Sequence, residues 1–426
     1  MTTRNLFERP ELFDKQTRLI LTADAKPKRL ARNSSALVRS FSRERSDSNA
    51  STYITQDIED DIDDENSEEN LNELIAEKKT SNILDETNYD TDIDQEQELP
   101  RDHTCKGVYV EQCRRYGVIP STSFLRSIQN DNLTIRYCGL KPVNIKVMVA
   151  PLKINSTITK LDLRDNCLGS KGAIYITHLI KENGYIDELN LGNNDIGIHG
   201  CKAICKVLCS NRSIRILYLD GNRFNDDCAK LFADVFSQNE CLTYINLNKN
   251  FFEDDSTGKI FGQSLVENQM LQELHLAWNR LSSKACGNLL KQLGTNARLT
   301  TLDLSWNGGA LFAAKALNDL LKKNAIIEKI YFEHNKFNTE CATYIGKGLA
   351  KNETLKILSL SGNPLESSGC YAVLRPLIKH LTCGLHTIDF IGIIVNQDFL
   401  DLVNELAGIL PKLKVKMGRE REQDIE

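Results

Sequence analysis

His275 and Asp303, with Ser305 two residues further on, are the residue types of a base, an orienting carboxylate and a nucleophile. They stand in two phrases 28 residues apart, HLAWNRL (275–281) and LDLSWNGG (302–309). Acyl transfer by such a set needs an oxyanion hole and a site that excludes water. Nothing in these phrases supplies either, so lateral hydrogen bonding is the expected role. Cys201, Cys205 and Cys209 follow at i, i+4 and i+8. Zinc sites favour close CxxC pairs, and there is none, so buried inert thiols are expected. Asp90, Asp92 and Asp94 open like a calcium loop, but the turn glycine is missing and Arg101 stands where a bidentate Glu is needed. No GxxxxGK[ST] loop occurs. The sequence therefore calls for no metal, no cofactor and no enzyme.

The spacing of those phrases matters more than their chemistry. Asn166, Asn194, Asn222, Asn250, Asn279, Asn307, Asn335 and Asn363 recur at steps of 28, with a single step of 29, each closing L-x-x-L-x-L-x-x-N. One step further back lies Cys138. A second asparagine register (Asn155, Asn183, Asn211, Asn239, Asn268, Asn296, Asn324, Asn352) follows each apolar helical stretch, where Asn suits a left-handed helix end. A third register is an i, i+4 apolar stripe such as Phe232/Phe236 and Leu289/Leu293. Three residues before it every position is small (Ala173, Cys201, Ala229, Gly258, Cys286, Ala314, Ala342, Cys370), which would bring the helix close to the strand layer.

Each unit thus reads as strand, Asn-bearing turn and helix. One unit cannot bury its apolar face alone, so the units must stack. The phrases resemble the leucine-rich repeat of the ribonuclease-inhibitor-like subtype. YVEQCRRYGVIPSTSFLRSI (109–128) and GLKPVNIKVMVAPLKINSTITKLDLRDNCLGSKGA (139–173) are most similar to the leucine-rich repeat-containing protein 74 family. The resemblance implies an α/β, right-handed horseshoe solenoid. Its parallel sheet would be concave and its helices convex, with about nine repeats plus caps.

Charge divides the chain. Residues 1–50 carry 11 Lys/Arg against 6 Asp/Glu, residues 51–100 carry 2 against 18, and the rest is mildly basic. A disordered tail (1–100, basic arm then acidic block) is expected. A helical N-terminal cap (101–130), repeats (131–382), and a degenerate repeat with a C-terminal cap (383–426) would follow. Within the tail, 70–80 could form a short helix and KPKRLAR (26–32) a nuclear address. Ser35, Ser42 and Ser46 each follow an arginine as phosphorylation sites would. Thirteen cysteines without a secretory signal point to reduced thiols in the cytoplasm.

Strand alternation sends the leucines inward and the third, fifth and seventh positions to the concave face, with the eighth at its rim. Trp278 and Trp306, the chain's two tryptophans, are both eighth positions on neighbouring strands, so their rings should meet. Around them fall Tyr218, Tyr244, His275, Asp303, Tyr331, Glu333 and His334. This aromatic cluster is read as a protein-binding hot spot, the alternative being a stiffener of the sheet. Concave charges are mixed: Arg136, Lys160, Arg164, Lys249 and Lys329 against Asp162, Asp165, Glu188, Asp220, Glu273, Asp303 and Glu333. That disfavours nucleic acid, which wants a basic stripe. No run suits a membrane. Arg136, Lys160 and Arg164 could dock the acidic tail. The expected function is a monomeric, non-enzymatic scaffold for a protein partner. Alternatives are a GTPase-activating role, since an acidic segment beside this repeat type resembles Ran GTPase-activating protein, or inhibition of a basic enzyme.

Overall fold

The computed structural model describes residues 104–380 and 382–418. The readings made on the N-terminal 103 residues lie outside the described residues. Eleven short strands form one sheet in strict chain order, every neighbouring pair parallel. They are β1 (Asn132–Thr134), β2 (Lys160–Asp162), β3 (Glu188–Asn190), β4 (Ile216–Tyr218), β5 (Tyr244–Asn246), β6 (Glu273–His275), β7 (Thr301–Asp303), β8 (Lys329–Tyr331), β9 (Ile357–Ser359), β10 (Thr387–Phe390) and β11 (Lys414–Met417). A helix returns the chain between each successive pair. Registers such as Glu273 with Thr301 repeat the 28-residue step. Strands pack about 4.8 Å apart and helices about 8–10 Å apart, so the stack must curve with its sheet inside. This is the leucine-rich-repeat solenoid.

The core runs the length of the molecule between the two layers. Leu161, Leu189, Leu217, Ile245, Leu274, Leu302, Ile330 and Leu358 are fully enclosed, as are the helix residues facing them. The turn asparagines hold successive coils together. Asn222 Oδ1 accepts from Asn194 N at 3.0 Å, while its Nδ2 donates to Leu191 O at 2.9 Å and Asp220 O at 3.2 Å. The pattern recurs along the stack, so backbone groups that the short strands leave unpaired are satisfied by side chains.

Two sequence expectations are corrected here. The second asparagine register is not left-handed: Asn183, Asn239 and Asn324 end their helices in extended backbone, with φ of −82°, −78° and −88°. They are buried cross-links instead. Asn183 Nδ2 donates to Leu152 O (2.8 Å) and Asn155 O (3.0 Å), and its Oδ1 accepts from Tyr185 N and Ile186 N. The small-residue register also acts differently at Gly258. A Cβ there would lie 1.9 Å from Ala285 O in the next helix, Ser283–Leu293, so smallness sets the helix-to-helix approach.

The ends are covered by other elements. Helices Cys105–Tyr116 and Thr122–Ser127 precede β1, with the Tyr109 and Phe124 rings tilted against each other at 4.1 Å between centroids. Helix Gln397–Ile409 buries Phe399, Leu402 and Leu406, and β11 then pairs with β10. The extra residue after Asn250 is fastened by Asp226, whose carboxylate accepts from Glu253 N, Asp254 N and Thr257 Oγ1.

Candidate functional site

The eighth position of every repeat takes left-handed backbone. Tyr137, Asp165, Asn193, Gly221, Lys249, Trp278, Trp306, His334, Gly362 and Gly392 all have φ between 49° and 82°. The geometry follows from the turn that lifts the chain off each strand. It suits Gly, Asn and Asp, and is an outlier for a bulky side chain. Trp278 (56°), Trp306 (55°) and His334 (49°) accept it on three successive coils.

Their rings form one stack. Trp278 and Trp306 lie 3.9 Å apart between centroids at 12°, and Trp306 and His334 lie 3.9 Å apart at 22°. Gly362 closes the His334 end, since a Cβ there would sit 2.4 Å from the imidazole. The indoles remain 48% and 38% exposed. Core packing does not fix them in place.

The other expected residues gather on the sheet floor in a second group. Tyr218 meets Tyr244 (5.0 Å) and Tyr244 meets His275 (5.0 Å). The cluster read as one therefore falls into a rim stack and a floor group. Burial raises the phenol pKa of Tyr244 and Tyr218, with Tyr218 and Glu273 acting further on Tyr244 and Glu188 on Tyr218. Tyr331 is raised by burial and then by Asp303. All three phenols are neutral donors at physiological pH.

His275 sits between two carboxylates, 3.5 Å from Glu273 and 3.6 Å from Asp303. The lateral contact to Asp303 is thus electrostatic in reach, longer than a hydrogen bond. Ser305 is turned away from it: its Oγ accepts from Glu333 N at 3.1 Å, and Glu333 in turn accepts from Ser359 at 2.8 Å. The base–nucleophile hydrogen bond of a triad is missing. Among the described residues no group of His, Cys, Asp and Glu is placed to hold a metal ion. Burial, together with the Cys205 thiol, pushes the Cys201 thiol up, and Cys205 lies 3.8 Å away.

Arg136, Lys160 and Arg164 are each engaged on the sheet. Arg136 pairs with Asp162, Lys160 with Glu188 at 2.9 Å, and Arg164 with Asp220 at 3.0 Å and Asp165 at 3.3 Å. Burial raises Asp220 despite the neighbouring Arg164.

Sequence reasoning missed Phe251 and Arg280. Each stands one residue past a turn asparagine, a register otherwise held by Cys167, Asp195, Arg223, Gly308, Lys336 and Pro364. Phe251 is 41% exposed, with the Arg280 guanidinium 4.9 Å above its ring. With Lys249, Trp278 and Trp306 they line a shallow cleft of about 500 Å³ beside the stack. Phe251 is the one aromatic in that column, which was the available signal.

A family model for the leucine rich repeat matches residues 155–176, 184–205, 267–289 and 351–374. The chain is 30% identical over 121 residues to NACHT, LRR and PYD domains-containing protein 9C of Mus musculus, covering 27% of this chain and 12% of that protein. It is 31% identical over 122 residues to NACHT, LRR and PYD domains-containing protein 12 of Homo sapiens, covering 28% of this chain and 11% of that protein. The chain thus spans about a tenth of the length of these relatives. Among solved structures it is similar to Leiomodin-1 Actin-Binding Site 2, with a TM-score of 0.31 and 19% identity over 35% of this chain and 91% of that one. No helix among the described residues is long and apolar enough to cross a membrane.

Proposed function

We propose that this leucine-rich-repeat protein is a non-enzymatic scaffold that binds a protein partner on its concave face, centred on the rim stack and the floor group. The observation that carries the reading is the pair of half-exposed indoles in left-handed backbone. Holding a bulky residue there costs on the order of 1–3 kcal/mol. Gly221 and Gly362 make the same turn without that cost. Side chains retained against a backbone cost, on a surface, point to binding, and exposed Trp and Tyr dominate protein interfaces.

The 28-residue period supports placing the chain in the ribonuclease-inhibitor-like subtype, near leucine-rich repeat-containing protein 74. We read the chain as tail (1–100), N-terminal cap (101–130), repeats (131–382) and C-terminal cap (383–426), working as a monomer. Thirteen free cysteines support a reducing compartment such as the cytoplasm. The test is affinity capture with the wild type and a Trp278→Ala/Trp306→Ala variant, circular dichroism confirming that both fold. Partners lost only from the variant support the reading. Identical partner sets from two folded baits reject it.

A further inference from the structure

The three-ring stack has one open end. Gly362 seals the His334 side, and Trp306 covers one face of Trp278. The other face of Trp278 looks towards the coil before it, into the cleft with Lys249, Phe251 and Arg280. A parallel stack ending on a bare indole face is a platform for one more planar ring, and an offset ring there gains about 0.5–1.5 kcal/mol beyond its buried area.

The walls beside that platform are cationic. Lys249 makes no ion pair among the described residues. Arg280 has a single carboxylate partner, Glu253 at 3.4 Å, and both side chains are over half exposed, so a ligand can compete for the guanidinium. Arg136, Lys160 and Arg164 on the sheet are, by contrast, engaged. The cleft therefore brings an aromatic platform and an available positive charge together.

We infer that this cleft receives an aromatic side chain from an acidic segment of the protein partner, its ring on Trp278 and a flanking carboxylate at Lys249 and Arg280. The inference rests on the reading of the aromatic rim as a partner site and adds the partner's chemistry. A basic segment would meet Lys249 and Arg280 with like charge, which weakens binding and slows encounter.

Trp278 and Trp306 are the chain's only tryptophans, so tryptophan emission of the full-length protein, excited at wavelengths where tyrosine does not absorb, reports on this cleft. The probe is the peptide acetyl-Asp-Glu-Phe-Asp-Glu-amide. Its controls carry Ala for Phe, or Lys for each acid. The acidic Phe peptide should change the emission saturably and bind about tenfold more tightly than either control. Lys249→Glu/Arg280→Glu, checked for folding by circular dichroism, should weaken it about tenfold. Equal affinity of the Ala peptide, tighter binding of the Lys peptide, or no emission change with any of them overturns the inference. Partner capture separates the levels: partners lost from Trp278→Ala/Trp306→Ala while the peptide prediction fails leave the rim as the site and remove only the acidic aromatic ligand. Partners retained by that variant remove the site itself.

Discussion

Two stretches of the same rim column differ in what they do with identical backbone. In the N-terminal stretch the left-handed column starts at Tyr137, which is exposed, and continues through Asp165, Asn193 and Gly221, which fit against one another. Asp165 accepts from Asn193 Nδ2 at 2.7 Å, and Asn193 Oδ1 fills the space a Cβ on Gly221 would need. In the central stretch they are Trp278, Trp306 and His334, which stack and stay open to solvent. The φ angles agree to within a few tens of degrees, so the turn does not dictate the side chain. The charges follow the same division, with the N-terminal cations paired across the sheet and Lys249 left open beside the stack. From Asp165 to Gly221 the side chains fit against one another along the solenoid. The central stretch presents its side chains outward.

That contrast can be broken at several points. The largest effect should come from the asparagine ladder, on which both stretches depend. Asn222→Ala leaves buried backbone donors and acceptors unpaired and should cost about 3 kcal/mol, read from urea unfolding. In the self-satisfied stretch, Gly221→Ala forces a Cβ to within 2.0 Å of Asn193 Oδ1 in left-handed backbone. It should cost about 1–2 kcal/mol by the same assay. In the open stretch, Trp306→Gly loses ring stacking but relieves backbone strain. The two terms are of similar size, so the midpoint should move by less than about 1 kcal/mol. A cost above 3 kcal/mol there would make the stack structural.

The smallest expected effect is a pH dependence. Burial raises the folded pKa of Asp220 above its unfolded value. The folded state then holds a proton more readily, so stability is lost as pH rises from the unfolded pKa through the raised folded one. Asp220→Asn should remove that decline, by about 1 kcal/mol or less, with Arg164 retaining Asp165 as its partner. Unchanged curvature in a stability–pH profile would count against the assignment.

Much of the fold was legible because the period is rigid. A strand of three residues has few ways to bury a leucine, and a 28-residue step repeated at several registers fixes strand, turn and helix together. What escaped lay where one residue type serves different ends. Asn after a helix suggested a left-handed cap, yet Asn183 and its equivalents are extended and reach back to the previous coil, because the buried carbonyls there need donors. The left-handed column itself was hidden among its tryptophans, although Asp165, Asn193, Gly221 and Gly362 at the same step are the residue types that such backbone favours. Ring contacts across strands depend on side-chain direction as well as spacing, so one expected cluster proved to be two. Phe251 went unread because its register is a loop column, outside the strand alternation.

The central claim is that the rim tryptophans are dispensable for folding and necessary for binding. The most direct measurement is the amount of each partner captured by Trp278→Ala/Trp306→Ala relative to wild type, at equal folded fraction by circular dichroism. The account predicts at least one partner reduced about tenfold or more on a fully folded variant. Equal capture of every partner by both folded baits would contradict it and make the stack a stiffener of the sheet.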